Sequence, residues 1–278
     1  MRVDPAAVTA AHGRRASSWA VLVDRPTRFV AKVETDDGPV LLKAAADHDI
    51  IAREVAGVAR LGALGLPVPE LLGSGEAPVA YAMLRWTDGA GLTSASPARA
   101  QADAGRLLRR VHAAGGDGPY AGTVPTWPEW MAGWLNHAAA WWKSTGRADP
   151  ATIARLWSWL AQEAELLSTR GRDLMLFDGR PEHFIVDGDR IAVMIDLSEI
   201  RAGDAAMDLG VLAVDDPGLL PGVLAGYAPT DAERAAFAAL VPFYTTLRRL
   251  ARAEWFHANG DPADAEPIFA LLAAEPPV

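Results

Sequence analysis

One segment constrains the fold of this chain more than any other: residues 174–210, which read LMLFDGRPEHFIVDGDRIAVMIDLSEIRAGDAAMDLG. Its two apolar runs, Phe184 to Val186 and Ile191 to Ile195, flank the turn Asp-Gly-Asp, a pattern that predicts a β-hairpin. One aspartate precedes the hairpin and another ends it, with more following. A loop aspartate and a strand-end aspartate joined by a hairpin can place two carboxylates at one cleft.

The first third of the chain predicts three strands, one helix and two further strands. Four of these strands are the apolar and β-branched runs WAVLVD, RFVAKVET and PVLLKAA, followed later by VAYAMLRW. Between them, apolar residues of DHDIIAREVAGVARLGALG recur at near-helical spacing, and Gly62 and Gly65 close the helix. This order predicts a small antiparallel sheet with one helix packed on it.

The remainder of the chain is predominantly helical in pattern. The stretch TDGAGLTSASPA is rich in Gly, Ser and Thr, and it predicts a connector between two lobes, 1–88 and 89–278. Helical patterns follow in SPARAQADAGRLLRRVHAAG, in WPEWMAGWLNHAAAWW, in PATIARLWSWLAQEAELLSTRG and in the amphipathic tail. The hairpin segment is the β-rich exception, so an α+β fold is expected.

Composition narrows the function classes. The net charge of −9 over 278 residues argues against nucleic acid as a partner, because a phosphate backbone requires a basic face. The absence of cysteine excludes disulfides and thiolate metal sites. No apolar leader and no run long enough to span a bilayer is apparent, so a cytoplasmic protein without a membrane partner is expected.

The segment 174–210 resembles the C-lobe signature of the aminoglycoside phosphotransferase-like kinases, which share the bilobal protein-kinase fold. That family carries His-Gly-Asp, four residues, Asn, a hairpin, Ile-Asp-Phe/Trp, Gly-Asp-Pro and Asp-Leu-Ala. This chain has Leu-Phe-Asp, four residues, His, a hairpin, Ile-Asp-Leu, Gly-Asp-Ala and Asp-Leu-Gly. The resemblance implies that Asp178 is the catalytic base and Asp196 the main Mg²⁺ ligand. It also places His183 at the second metal position and Asp208 in support of the catalytic loop.

The resemblance extends to the first lobe, 1–88, as a nucleotide-binding lobe. The strand VLLKA implies that Lys43 meets the α- and β-phosphates of ATP or GTP, with Glu54 on the next helix as its ion-pair partner. The segment Arg85, Trp86, Thr87 resembles the hinge that runs past the nucleotide base.

Three positions depart from the family pattern. Leu176 replaces the loop histidine, and His183 replaces an asparagine, although imidazole suits Zn²⁺ or Mn²⁺ better than Mg²⁺. The loop DRPTR between the first two strands has no glycine with which to approach phosphates closely, and Arg25 and Arg28 can supply charge there instead.

The acceptor site is expected in the second lobe, 89–278. Trp127, Trp130 and Trp134 share one helical face, where core packing is the usual role and stacking on a substrate is the alternative. The acceptor-binding candidates are Trp130, Trp134, Glu199 and Asp204, with Glu129 and Asp173 as further acids. Asp204 and Asp208 are also candidates for capping and structural roles. His112 and His257, in amphipathic helices, are expected to be structural.

The resemblance implies a kinase that moves the γ-phosphoryl group of ATP or GTP, with Mg²⁺, to a hydroxyl of a small molecule. An antibiotic is the expected acceptor, in resistance or self-protection, and a monomer or homodimer is the expected state. A second hypothesis is a degenerate kinase fold that binds nucleotide without catalysis. A third is a metal-dependent hydrolase that uses Asp178, His183 and Asp196.

Overall fold

The computed structural model describes residues 3–77, 79–116, 126–260 and 262–274. Packing groups the chain into two units, Met1–Ala100 with Pro181–Ile200, and Gln101–Arg180 with Arg201–Val278. The hairpin segment thus packs with the first unit although it follows residue 89 in sequence. The division at 88/89 into a nucleotide-binding and a catalytic lobe stays a prediction about function.

Strands and helices alternate irregularly along the chain. The strands are β1 (Ala16–Arg25), β2 (Arg28–Thr35), β3 (Val40–Ala45), β4 (Leu71–Gly75), β5 (Ala80–Arg85), β6 (Ala90–Gly91), β7 (Asp173–Met175), β8 (Phe184–Asp187), β9 (Arg190–Met194) and β10 (Arg201–Gly203). The helices are α1 (Pro5–Ala11), α2 (His48–Ala63), α3 (Ala98–Ala113), α4 (Trp127–Ser144), α5 (Pro150–Gln162), α6 (Ala164–Ser168), α7 (Ala205–Leu212), α8 (Leu220–Tyr227), α9 (Asp231–Ala258) and α10 (Glu266–Ala274). The predicted α+β class is confirmed.

The first unit is built on an antiparallel sheet in the order β1-β2-β3-β5-β4. Every residue of β3 is buried, because it is a central strand covered on both faces. Phe29, Ala31 and Leu42 belong to one buried apolar cluster, while Ala45 packs in another with Ile51 of α2. A charged side chain on β3 must therefore find its partners inside the protein.

A short helix, α1, accompanies the single helix predicted for the first third. Asp4 caps it by accepting hydrogen bonds from the backbone N–H groups of Ala6 and Ala7. Its seven residues are too few to show a helical repeat in the sequence, which is why periodicity missed it.

The predicted hairpin is present in the first unit as β8 and β9, and β6 adds a third strand. Phe184 pairs with Met194, and a bulge shifts the register between Ile185 and Val186. The second strand ends at Met194, one residue before its predicted end.

The second unit is mainly helical, with β7 and β10 as a small two-stranded sheet. Helix α9 runs for 28 residues from a capping box formed by Thr230 and Glu233. Every residue of α7 is buried. In the part of the chain that the structure describes, no helix is both long and apolar enough to cross a membrane.

Two glycines let α3 and α8 approach at backbone contact. A Cβ on Gly105 would overlap the carbonyl oxygen of Val223, and one on Gly226 would overlap that of Ala102. By contrast, a Cβ on Gly133 of α4 would meet nothing within 4 Å.

Substituting these glycines should change stability in opposite directions. We expect Gly105→Ala to lower the free energy of unfolding by about 1–3 kcal/mol or more, because the helices must separate. Gly133→Ala should raise the free energy of unfolding by about 0.4–1 kcal/mol, because the backbone at an alanine loses less conformational entropy on folding than the backbone at a glycine. Urea denaturation of the two variants measures both effects, and equal stability of Gly105→Ala and the parent would contradict the packing.

Candidate active site

Lys43 is the centre of a buried charge cluster in the first unit. Its Nζ lies 2.8 Å from Oε1 of Glu54 and 2.9 Å from Oδ1 of Asp196. Lys43 is 7% exposed and Glu54 is 2% exposed. The structure thus brings together three residues that the sequence assigned to nucleotide and metal binding.

Backbone geometry places the two carboxylates on the lysine. Gly57 of α2 lets the helix carrying Glu54 approach the backbone at Leu197, where any Cβ would overlap the carbonyl oxygen. Asp196 follows β9 with a left-handed φ of 59°. Such a φ is uncommon for a residue with a Cβ and is best tolerated by Asn and Asp. The turn after β9 therefore aims the Asp196 carboxylate at Lys43.

The surroundings of Asp196 favour the ionised form of its carboxyl group. Burial acts to raise its pKa, but the charge of Lys43 helps to outweigh burial and lowers the pKa below its usual range. His183 and Arg28 act in the same direction, with ring and guanidinium nitrogens 3.7 Å and 3.2 Å from the carboxylate. Arg28, considered in the sequence as a charge near phosphates, contacts Asp196 here.

His183 is buried next to Asp196, in the position predicted for a second metal ligand. Its Nε2 lies 3.7 Å from Asp196 Oδ2, and its carbonyl oxygen accepts a hydrogen bond from Ile195. This backbone hydrogen bond joins the turn before β8 to the residue that follows β9. Its role as a metal ligand stays a prediction.

The predicted hinge residues lie at the end of β5 and just beyond it. The Arg85 guanidinium donates to Glu70 at 3.2 Å and to the carbonyl of Asp37 at 2.8 Å. Trp86 donates its indole N–H to Asp88 at 2.7 Å. Thr87 follows in the same irregular segment, and all three are partly buried. A role in binding the nucleotide base stays a prediction.

In the second unit, Asp208 fixes the backbone of the loop that carries Asp178. The Asp208 carboxylate is fully buried and accepts the backbone N–H groups of Leu176 and Phe177, each at 2.8 Å. It also contacts Nε2 of His112 at 3.1 Å. Because a carboxylate accepts strongly from such donors, the loop has one preferred conformation.

Phe177 occupies the position where the resembling family has glycine, and its φ is 64°. This conformation costs about 1–3 kcal/mol for a residue with a Cβ and persists only when its surroundings impose it. The Asp208 hydrogen bond to its N–H supplies part of that restraint. The sequence had no signal for this, since Phe rarely takes such a conformation.

Asp178 is held by arginines of its own unit. Arg248 of α9 donates from Nη2 to Oδ1 at 3.0 Å, and Arg180 Nε lies 3.5 Å from Oδ2. Burial lowers the pKa of Arg248, although Asp178 acts to raise it. The sequence did not point to Arg248, which stands 70 positions away in an ordinary helical pattern.

The tryptophans of α4 divide between core and loop contacts. Trp127 is buried and donates its indole N–H to the hydroxyl of Tyr244 at 2.8 Å, which is a core role. Trp130 and Trp134 are partly buried, with ring centroids 6.0 Å and 5.8 Å from that of Phe177. The two predicted acceptor-binding tryptophans therefore contact the loop that carries Asp178.

Asp204, a predicted acceptor-binding residue, lies inside the second unit. It is fully buried and receives hydrogen bonds from Arg170 at 2.7 Å and from the Tyr244 hydroxyl at 2.8 Å. It also caps α7 at the N–H of Ala206. These contacts are those of a helix cap and a buried structural acid, as its N-cap position allowed, and a role of Asp204 in acceptor binding stays a prediction.

The other predicted acids differ in setting. Glu199 is partly buried in the first unit, 3.9 Å from Arg53. In the second unit, exposed Glu129 accepts from the Thr126 hydroxyl at 2.7 Å, while Asp173 accepts the N–H of Ala205 at 2.9 Å. Acceptor binding by Glu199 stays a prediction. Of the two histidines expected to be structural, His112 is buried on Asp208, and exposed His257 packs on Trp141 with ring centroids 5.7 Å apart.

Several solved structures share the fold of this chain at low sequence identity. A macrolide 2'-phosphotransferase from Brachybacterium faecium is 20% identical, with a TM-score of 0.68, and the alignment covers 98% of each chain. A thermostable mutant of an aminoglycoside phosphotransferase, in complex with ADP and hygromycin B, is 17% identical with a TM-score of 0.71 and 96% coverage of each chain.

A choline/ethanolamine kinase family protein from Mesorhizobium loti is 20% identical with a TM-score of 0.66, over 93% of this chain and 87% of that one. No curated protein matches by sequence. These likenesses confirm the kinase-like fold expected from the sequence.

A match to a family model shows the family of this chain in addition to its fold. The model described as the phosphotransferase enzyme family matches residues 8–240, which is well over half of the chain. The matched region includes Lys43, Glu54, Asp178 and Asp196. This chain therefore belongs to the phosphotransferase enzyme family.

Proposed function

We propose that this protein is a small-molecule kinase that transfers the γ-phosphoryl group of ATP or GTP to a hydroxyl group. The observation that carries the proposal is Lys43 held between Glu54 and Asp196. Burying such a cluster is costly, and apolar residues would stabilise a core at least as well. A phosphate-binding lysine accounts for it, since kinases of this fold class need a lysine fixed by an acid.

The residues around Asp196 fit a magnesium ion. Mg²⁺ takes oxygen ligands and is usually bound by one or two carboxylates together with substrate phosphates. Asp196 offers an ionised carboxylate beside the ammonium group of Lys43. When bound, Mg²⁺ neutralises charge on the phosphate oxygens. The imidazole of His183 is a weaker match for Mg²⁺, which makes Asp196 the main ligand of the proposal.

Asp178 is proposed to orient the acceptor hydroxyl and to receive its proton. Its carboxylate is fixed in one direction by Arg248, and the loop beneath it is fixed by Asp208. Phosphoryl transfer asks the protein mainly for positioning and charge stabilisation. A rigid carboxylate of this kind meets the positioning requirement.

Antibiotic acceptors are the finer proposal. The similar structures include a macrolide 2'-phosphotransferase and an aminoglycoside phosphotransferase bound to hygromycin B. The same fold also occurs in a choline/ethanolamine kinase family protein. Since one fold carries several acceptor classes, the acceptor must be argued from the site's own residues.

Nucleotide binding without catalysis is the second candidate. This candidate is supported by the contacts of Arg28 and His183 with the Asp196 carboxylate. These contacts compete with a metal ion for the same carboxylate oxygens. The two candidates differ in turnover rather than in nucleotide affinity.

Removing the Lys43 charge should weaken nucleotide binding. In calorimetric titrations with ATP and GTP in Mg²⁺, we expect Lys43→Met to lose about 10- to 100-fold in affinity, the worth of a charged hydrogen bond. Lys143→Ala, at the exposed end of α4, is the matched control and should bind as the parent does.

Because Lys43→Met leaves Glu54 buried without its partner, a Lys43→Met/Glu54→Gln double variant should be measured alongside it. Parent-like affinity in a folded double variant would remove Lys43 from the nucleotide site.

Asp178→Asn should keep nucleotide affinity and lose turnover. General-base catalysis contributes about 10²–10⁴-fold, so ADP formation with a panel of hydroxyl-bearing antibiotics should fall by that factor. Asp187→Asn, on the exposed end of β8, is the control. Unchanged ADP formation would exclude Asp178 as the base. Equal phosphate release with and without acceptors in the parent would favour a hydrolase.

A further inference from the structure

The carboxylate of Asp196 has a second permanent cation beside it in addition to Lys43. Nη2 of Arg28 donates to Oδ1 at 3.2 Å and lies 3.5 Å from Oδ2, within the first unit. Lys43 contacts Oδ1 at 2.9 Å, and His183 approaches Oδ2 at 3.7 Å. Both carboxylate oxygens therefore have nitrogen neighbours, although Mg²⁺ would need at least one of these oxygens in the proposed kinase.

Among these three neighbours of Asp196, Arg28 is the one that can move away. Lys43 is buried and also bound to Glu54 at 2.8 Å, so its departure would leave a buried ion pair broken. His183 is buried in the short turn before β8. The side chain of Arg28 is 40% exposed at the start of β2, so water can solvate its charge when it leaves the carboxylate.

The turn next to Arg28 is poorly equipped to bind phosphates through its backbone. Strands β1 and β2 pair up to Arg25 and Arg28, which leaves Pro26 and Thr27 as the turn. A glycine-rich loop binds phosphates through backbone N–H groups, but this turn has no glycine and Pro26 has no N–H. Phosphate binding at this turn therefore depends on side chains, and a guanidinium can make two parallel hydrogen bonds to a phosphate.

We propose that Arg28 is a displaceable counter-ion of Asp196, which leaves the carboxylate when Mg²⁺ and the nucleotide bind together and then binds the nucleotide phosphates. This inference rests on the proposed kinase function. The two cations, Lys43 and Arg28, balance two carboxylates, so Mg²⁺ alone would add positive charge beside cations that it repels. The phosphates supply the negative charge that accommodates both Mg²⁺ and the displaced guanidinium.

This exchange predicts two effects of removing Arg28 that have opposite signs. In titrations without nucleotide, followed by the electron paramagnetic resonance of free Mn²⁺, Arg28→Gln should bind Mn²⁺ about fivefold more tightly than the parent, because a competing cation is removed. In calorimetric titrations, Arg28→Gln should bind Mg-ATP about tenfold more weakly, because a charged hydrogen bond to phosphate is lost. A purely structural role of Arg28 would weaken both kinds of binding.

Three further variants locate these effects. Arg99→Gln is the matched control, since Arg99 also pairs with a carboxylate of the first unit, Asp189 at 2.7 Å, and should bind Mn²⁺ and Mg-ATP as the parent does. Arg28→Met, which keeps the apolar stem, should reproduce both shifts of Arg28→Gln. Adding Asp196→Asn to Arg28→Gln should abolish the gain in Mn²⁺ affinity, because the two side chains act on the same site.

Several results would overturn the proposal: Mn²⁺ affinity of Arg28→Gln equal to or below that of the parent, a gain that persists in the double variant, or parent-like Mg-ATP affinity in Arg28→Gln. Failure of the parent to bind Mg-ATP would instead count against the kinase function. Because the Mn²⁺ titrations contain no nucleotide, they decide the counter-ion role of Arg28 in either case, so the two failures are distinguishable.

Discussion

A lysine ammonium buried on a central strand has to be paired, and the first unit is organised around that requirement. Lys43 is on β3, where both sheet faces are covered, so water cannot compensate its charge. The compensation comes from Glu54 on α2 and from Asp196 after β9. The helix α2, the strand β3 and the hairpin of this unit therefore have to be positioned so that these three side chains meet. The same pairing keeps a charged lysine and an ionised carboxylate adjacent, which is what a magnesium-phosphate group would meet.

In the second unit, the loop that carries Asp178 has a left-handed backbone at position 177 without a glycine there. Phe177 takes a left-handed conformation, and the buried Asp208 holds its N–H together with that of Leu176. The ring of Phe177 is in turn covered by tryptophans and arginines. The strain and its compensation are therefore local to the loop that presents Asp178.

Local patterns predicted the elements well, because alternation and helical spacing are properties of short windows. The hairpin at 184–194 followed from its turn residues, and Lys43, Asp178 and Asp196 followed from the spacing of a family motif. What the sequence could not predict depends on long-range packing. Arg28 meets Asp196 across 168 positions, as Arg248 meets Asp178 across 70, and neither arginine stands in a distinctive local pattern.

Asp204 is another residue whose contacts the sequence could not predict. Its sequence setting fitted both a helix cap and a pocket acid, and its hydrogen bonds with Arg170 and Tyr244 depend on residues distant in sequence. Burial of a carboxylate with its hydrogen bonds satisfied is a property of tertiary structure.

We propose that Asp196 makes nucleotide binding depend on a metal ion. The most direct test is calorimetric titration of the protein with ATP, with and without Mg²⁺, in the parent and in Asp196→Asn. Asparagine tolerates the left-handed backbone at this position, so the variant removes the charge and keeps the turn. Asp189→Asn, in the exposed hairpin turn, is the control.

We expect Mg²⁺ to strengthen ATP binding in the parent and in Asp189→Asn, and we expect Asp196→Asn to abolish this strengthening. Equal Mg²⁺ dependence in Asp196→Asn and the parent, or no binding of ATP by the parent, would contradict it.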